Sequence, residues 1–330
     1  MSRAESVHDA LPTLSVADAW ALVREPVDAV TALGTGNRSR VYRIALREGG
    51  ARIARITPRG SGRVERERAV RARLGADPRI PTVHEVLAQG HPLAGACDVV
   101  LMREVPGETL HAALLSRPDE VAVGLWRQYG DGLAALHGHA VKGFGLLGAD
   151  GRGVFPTWRA AMEAAAARAL EDARETALAD LCADAEARLG ALAPALDRVT
   201  SGALLHGDPQ PLNVLTQGGR VAAWIDFEFA SGGDPLYDLA FVATLFDADP
   251  TNPFAAKPLV RWREAFADGY TARGSAPADD DAPARTAYYG LLHALRASEF
   301  LRVVGPRLPA AVRDQVTATM RAKVARRCAG

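Results

Sequence analysis

Four polar residues, His206, Asp208, Asn213 and Asp226, have the types and spacing of a metal-assisted transfer site. His206 and Asp208 open a loop. Asn213 follows five residues after Asp208, and apolar Val214 and Leu215 then begin a strand. The glycine pair Gly218-Gly219 turns the chain back through Ala222, Ala223, Trp224 and Ile225 to Asp226, so residues 212–225 read as a hairpin. Such a hairpin carries the asparagine at its entry and the aspartate at its exit to one end. A carboxamide oxygen and a carboxylate there make a hard oxygen site suited to Mg²⁺. Asp208 precedes that pair and is placed to accept a proton from a substrate hydroxyl. The competing reading makes these acids caps and turn residues and His206 a buried hydrogen-bonding side chain.

The pattern H-G-D-x-x-x-x-N followed by I-D-F-E resembles the aminoglycoside phosphotransferase family and its relatives, the choline, thiamine and fructosamine kinases, which are cousins of the protein kinases. The resemblance implies that Asp208, with His206 beside it, forms the catalytic loop and that Asp208 is the base. It makes Asn213 and Asp226 the Mg²⁺ ligands. In G-D-P-L-Y-D-L-A, Gly233 to Ala240, it implies that Asp234 and Asp238 brace that loop. The implied fold is α+β and bilobal, protein-kinase-like. Its N-lobe, residues 1–105, is a small antiparallel sheet with one helix that binds the nucleotide. Its C-lobe, residues 106–330, is larger and mostly helical, and holds the catalytic loop and the substrate region.

The nucleotide half departs from the family. Gly34-Thr35-Gly36-Asn37-Arg38-Ser39 stands where a phosphate-covering turn belongs, with Gly34, Gly36 and Ser39 as its phosphate-facing candidates, but a full G-x-G-x-x-G is absent. Only three lysines occur, Lys142, Lys257 and Lys323, so no lysine precedes residue 142 to pair with phosphates. In A-R-I-A-R-I-T, Arg55 is the first candidate for that role and Arg52 the second. Three apart on a strand, they point to opposite faces. Glu67, seven residues before Leu74, is the expected helix partner, with Glu65 as alternative. The nucleobase, of ATP or GTP alike, would sit on the connector at Arg103, Glu104 and Val105, through backbone hydrogen bonds.

Elements that could position these residues follow from composition. Residues 16–25 read as a helix and 30–47 as two strands about the glycine pair. Glu48-Gly49-Gly50 is a hairpin turn, and 51–57 is a strand. Residues 63–74 are rich in Arg, Glu, Ala and Leu and favour helix. Strands are expected near 82–88 and 97–105. Residues 119–137 place Val121, Leu125, Tyr129, Leu133 and Leu136 on one helical face. Two helices are expected over 157–196, and further ones at 258–272, 284–304 and 309–327. Asp279–Asp281 reads as a mobile surface loop.

The acceptor is expected to be a hydroxyl on a small molecule, and an antibiotic is the leading choice. Acidic candidates for a cationic acceptor are Asp247, Asp249, Asp268, Glu299 and Asp279 to Asp281, with Glu228 nearer the cleft. Tyr289, His293, Arg296 and Phe300 share a helical stripe, for which core packing competes with pocket lining; Arg296 argues against a polycation. A metabolic kinase and a nucleotide-binding pseudokinase remain alternatives. The 330 residues carry 39 basic and 39 acidic side chains, a balance that suggests no nucleic-acid partner. The first 105 residues hold 16 Arg against 12 acids. Cys97, Cys182 and Cys328 share no metal-like spacing and suit free thiols. With no apolar secretory run in residues 1–20 and no run of 18 apolar residues, the expectation is a cytoplasmic protein without a membrane partner.

Overall fold

The computed structural model describes residues 11–36, 39–58, 60, 62–75, 97–247, 249–274 and 277–330. Helix α1 (Val16–Val23) begins with a capping box in which Ser15 and Asp18 exchange hydrogen bonds. A four-stranded antiparallel sheet follows in sequential order: β1 (Val27–Gly36), β2 (Ser39–Leu46), β3 (Ala51–Pro58) and β4 (Cys97–Arg103). Strand alternation divides its two faces. Tyr42, Ile44, Ala54, Ile56, Val99 and Leu101 bury against Leu22 of α1. Val41, Arg43, Ile53, Arg55, Val100 and Met102 leave the opposite face, in the registers Val41–Arg55–Val100 and Arg43–Ile53–Met102. Helix α2 (Arg63–Leu74) follows β3. The strand expected near 82–88 lies outside the described residues.

The remainder is mostly helical, giving an α+β fold with an antiparallel-sheet N-terminal part and a helical C-terminal part. Its elements begin with β5 (Glu108–Thr109), α3 (Leu110–Ser116), α4 (Asp119–His137), β6 (Ala140–Val141), β7 (Phe144–Leu147) and β8 (Gly153–Phe155). Then come α5 (Trp158–Arg174), α6 (Cys182–Leu192), β9 (Gly202–Leu205), β10 (Val214–Gln217), β11 (Arg220–Trp224) and β12 (Ser231–Gly233). The chain closes with α7 (Pro235–Thr244), α8 (Leu259–Thr271), α9 (Ala282–Arg296), α10 (Ser298–Val303) and α11 (Ala310–Ala329). Two small sheets, ordered β11-β10-β5 and β6-β9-β12-β7-β8, carry the site loops.

Helix α4 spans the expected residues and buries Leu125, Tyr129, Leu133 and Leu136, and it packs on α8. The two backbones approach so closely that a Cβ at Gly269 would stand 1.9 Å from the Arg127 carbonyl oxygen. Three expectations need correction. Gly34 and Gly36 belong to β1, paired with Val41 and Ser39 of β2. The 284–304 segment is two helices. At Ala297 the ladder gives way to an i→i+3 bond from Phe300 N to the Ala297 carbonyl, 3.1 Å, which redirects the chain. Asp279 and Asp281 are anchored by ion pairs to Arg285 (2.7 Å) and Arg198 (2.8 Å) rather than loose. Among the described residues, no helix is long and apolar enough to cross a membrane.

Candidate active site

Strand β9 delivers the chain to His206, and the following loop is pinned from below. Asp238 of α7, fully buried, accepts from the backbone N–H of His206 at 2.7 Å and of Gly207 at 3.0 Å. His137 of α4 sets its Nε2 3.2 Å from the same carboxylate. Burial alone would push the Asp238 pKa up; the His137 hydrogen bond and the nearby His206 hold it below its ordinary value. Gly207 has φ 78°, and a Cβ there would meet the Phe229 carbonyl oxygen at 2.2 Å, so only glycine fits. Asp238 therefore braces the loop. Asp234 does not: it caps α7 at Leu236 N (3.1 Å) and accepts from Arg285 Nε and Tyr289 Oη, both at 2.8 Å. Helix α9 crosses the start of α7 and takes Asp234 for itself. His206, expected beside Asp208 as part of the catalytic loop or as a buried hydrogen-bonding side chain, takes the second place. Its ring is fully buried against Trp224 and Phe227, and Nε2 donates to the Ile225 carbonyl at 3.1 Å, tying the loop to the hairpin.

Asp208 Oδ2 accepts from Gln210 Nε2 at 2.8 Å and Asn213 Nδ2 at 3.1 Å. Burial raises the Asp208 pKa, His206 and Arg296 pull it back, and Asp226 raises it. Asn213 spends its amide hydrogens on Asp208, the second on the backbone carbonyl at 2.9 Å, which leaves its carboxamide oxygen as the open group. In the hairpin Val214 pairs with Trp224, and Ile225 N donates to the Asn213 carbonyl at 2.9 Å. Asn213 and Asp226 thus stand at the same end. Asp226 takes a left-handed backbone, φ 63°, uncommon for a residue with a side chain. Arg55 holds only Oδ1 of its carboxylate, and the side chain is 37% exposed. One carboxamide oxygen and one open carboxylate oxygen fit Mg²⁺, which keeps waters and phosphate oxygens as its other ligands. Among the described residues no three His, Cys, Asp or Glu side chains cluster as an all-protein metal cage.

The N-terminal sheet reaches this point through one arginine. Arg55, 5% exposed, donates through Nη1 to Asp226 Oδ1 at 2.9 Å and through Nη2 to Glu67 Oε1 of α2. Burial opposes its charge, but Glu67 and Asp226 outweigh that and raise its pKa. Arg52 points to the other side and pairs with Glu25 at 3.1 Å. Glu67 is fully buried, whereas Glu65 makes no such pair among the described residues. Two expected residues have side-chain partners from the N-terminal part. Glu104 accepts from Arg43 of β2 at 2.6 Å. Glu228, expected near substrate, pairs with Arg63 of α2 at 2.6 Å, and burial and Asp226 push its pKa up to about 7. The reason is that α2 lies on the short turn Phe227–Phe229, where Arg66 Nη1 also reaches the Glu228 carbonyl at 2.6 Å.

Beside Gly207 lies a cavity of about 240 Å³ bordered by Phe155, Met162, Arg168, Phe229, Arg296 and Glu299. Arg296 sits 5.5 Å from the Phe229 ring centroid and donates to Tyr237 Oη. Its pKa is raised, chiefly by Tyr237, against burial and with help from Asp208. His293 does not reach the cavity: its Nε2 donates to the Tyr237 carbonyl at 2.9 Å, and burial pushes its pKa down to about 3. Tyr289 is core, and Phe300 stands 37% exposed on α10. Of the acids expected to attract a cationic substrate, Asp249, Asp268 and Asp247 pair with Lys323 (2.7 Å), Arg127 (3.5 Å) and Arg327 (3.9 Å); Glu299 alone of that set borders the cavity. Arg168 and Asp172 of α5 were missed, because an alanine-rich helix gives no sign of which face meets the loop after β9.

A model of the phosphotransferase enzyme family (APH) matches residues 29–289. No curated protein matches the chain. Among solved structures, a thermostable mutant of aminoglycoside phosphotransferase APH(4)-Ia in ternary complex with AMP-PNP and hygromycin B is similar, with TM-score 0.71 and 20% identity over 95% of this chain and 98% of that one. Macrolide 2′-phosphotransferase MphH from Brachybacterium faecium is similar with TM-score 0.59 and 18% identity, over 93% and 96% of the two chains. Amicoumacin kinase hAmiN, in complex with AMP-PNP, Ca²⁺ and Ami, gives TM-score 0.62 and 16% identity over 94% and 91%.

Proposed function

The chain belongs to the phosphotransferase enzyme family, and we propose that it moves the γ-phosphate of ATP or GTP to a hydroxyl of a small molecule of antibiotic type, in the cytoplasm. The observation that carries this reading is the joint of Arg55, Glu67 and Asp226. One buried arginine from the sheet is held by an acid of α2 and by the acid that ends the catalytic hairpin. An arginine presents a rigid fork to phosphate and can replace a lysine there, with different reach. Residues 1–105 would serve as the nucleotide half and 106–330 as the catalytic and acceptor half.

In this reading Asp208 orients the acceptor hydroxyl and takes its proton. The hydroxyl oxygen forms its bond to the γ-phosphorus as the bond to the β-phosphate oxygen breaks, and the nucleoside diphosphate leaves. Asn213 holds the Asp208 carboxylate in place, and Asp238 fixes the loop through backbone N–H groups. Asn213 and Asp226 would hold Mg²⁺, which when bound neutralises charge on the phosphates. The cavity beside Gly207 receives the acceptor. Its mostly apolar walls, with Arg168 and Arg296 set against Asp172 and Glu299, favour an amphipathic acceptor. The similar structures include a complex with hygromycin B, an amicoumacin kinase and a macrolide phosphotransferase, which supports an antibiotic. Three free cysteines, two of them buried, suit a reducing compartment.

Release of ADP or GDP, measured against a panel of antibiotics, choline, thiamine and sugars, tests the reading. Acceptor-dependent release with one antibiotic class supports it. Release with choline, thiamine or a sugar alone would make it a metabolic kinase, and binding of nucleotide without any turnover would make it a scaffold.

A further inference from the structure

The cleft face of the sheet carries a second arginine, Arg43, beside Arg55. Arg43 on β2 stands opposite Ile53, and Val41 opposite Arg55, so Arg43 and Arg55 leave the same face, away from α1. Ile53 is two residues from Arg55, a step of roughly 6.5 to 7 Å along the strand towards the connector. Arg43 Nε and Nη2 donate to the two oxygens of Glu104 at 2.6 and 3.1 Å. Glu104 directly follows β4, so this fork joins the second strand to the connector between the two halves. The sheet does not need it: β2 already pairs along its length with β1 and β3. The two side chains are 39% and 25% exposed, and a pair so wet contributes little to stability. What the paired geometry does fix is the plane of the guanidinium.

We propose that Arg43, held by Glu104, is the nucleobase-covering residue of the donor site, an inference that rests on the donor reading above. A triphosphate whose phosphates reach Arg55 and whose nucleoside runs towards the connector places its base one rung further on. There Arg43, Ile53 and Met102 lie side by side across three strands. A guanidinium stacks flat on an aromatic ring, which an ammonium cannot do. Ile53 and Met102 supply apolar contact around it. Stacking reads ring area and not edge pattern, so this clasp takes adenine and guanine about equally.

Calorimetric titration with Mg²⁺–AMP-PNP and with Mg²⁺–tripolyphosphate, which has the phosphates and no base, separates the two contacts. Arg43→Ala is expected to weaken AMP-PNP about 3- to 30-fold, the range of a cation stacked on a ring, and to leave tripolyphosphate unchanged. Arg43→Leu, which keeps the apolar stem, should behave the same way and guards against misfolding. Glu104→Ala should give a smaller loss of AMP-PNP. The double variant should be no weaker than Arg43→Ala alone, because the two residues act as one unit. AMP-PNP binding within about twofold of wild type in both Arg43 variants overturns the clasp while leaving the donor reading intact. Equal weakening of both ligands assigns Arg43 to phosphate and overturns it too. A wild-type protein that binds neither ligand removes the donor reading and the clasp together.

Discussion

On the proposed reading, the donor side and the acceptor side of the cleft are built in opposite ways. On the donor side described charges are paired: Arg55 with Glu67 and Asp226, Arg63 with Glu228, Arg43 with Glu104. On the acceptor side the walls are mostly apolar, and Arg296 finds a phenol and an aromatic ring rather than a carboxylate. Phosphate chemistry is the same for every nucleoside triphosphate, so a fixed electrostatic frame can be built in advance. An acceptor differs from enzyme to enzyme and is recognised by shape and a few polar groups. Breaking one residue of each kind should therefore have unequal effects.

The largest effect is expected at Asp208. Asp208→Asn keeps the hydrogen-bonding shape but removes the base, and turnover should fall roughly 10²- to 10⁴-fold with the fold intact. Steady-state ADP release with the acceptor found in the panel measures it; turnover within a few-fold of wild type would remove Asp208 from its role. Next comes Asp238→Ala, which leaves the N–H groups of His206 and Gly207 and the side chain of His137 without their buried acceptor. A loss of about 3 to 5 kcal/mol of stability is expected in denaturant unfolding. The pH dependence has a definite sign. The folded Asp238 pKa lies below the unfolded one, so its contribution is complete above about pH 4 and is lost as pH falls through the folded value. Asp238→Asn should flatten that acid limb; an unchanged limb assigns it to other carboxylates.

Third in size is Arg55. Losing a charged hydrogen-bond donor to phosphate costs about 1.5 to 3 kcal/mol, so Arg55→Ala should lower kcat/KM for the nucleotide roughly 10- to 150-fold. Arg52→Ala, whose partner Glu25 lies on the far face, should change neither kcat nor KM. The reverse pattern would show that the phosphates are held from the other face.

The same asymmetry governs how much the sequence reveals. The donor frame was legible wherever a local rule decided the outcome. Alternation put Arg55 and Arg52 on opposite faces, and the hairpin brought Asn213 and Asp226 to one end. The boundaries of α2 and α4 followed from composition and periodicity. What failed was decided by packing between segments distant in the chain. Glu228 is two residues from Asp226, yet α2, some 160 positions earlier, supplies its partner Arg63. Asp234 looks like Asp238 in sequence, but α9 claims the first and the His206–Gly207 loop the second. His293 shares a stripe with Arg296, yet it faces the Tyr237 carbonyl while Arg296 meets the cavity. No pattern along the chain distinguishes such pairs, because each depends on where a helix end lands.

The smallest expected effect is also the one that tests the acceptor side most directly. Arg296 borders the cavity, stays partly accessible, and adds positive potential beside Asp208. A cationic amine next to the reacting hydroxyl would meet that charge, and an anionic group would be drawn to it. The interaction is screened by the open cleft, so it should be worth no more than a surface ion pair, about 0.2 to 1 kcal/mol. Arg296→Leu keeps the packing on Phe229 and removes the charge. It should raise kcat/KM for an acceptor with an amine near its hydroxyl by about 1.5- to 5-fold, and lower it to a similar degree for one with a carboxylate there. Both changes should shrink at high salt, where the Debye length falls to a few ångströms. Equal loss for both acceptors, insensitive to salt, would mean that Arg296 serves only to hold Tyr237 and Phe229. The cavity would then choose its acceptor by shape alone.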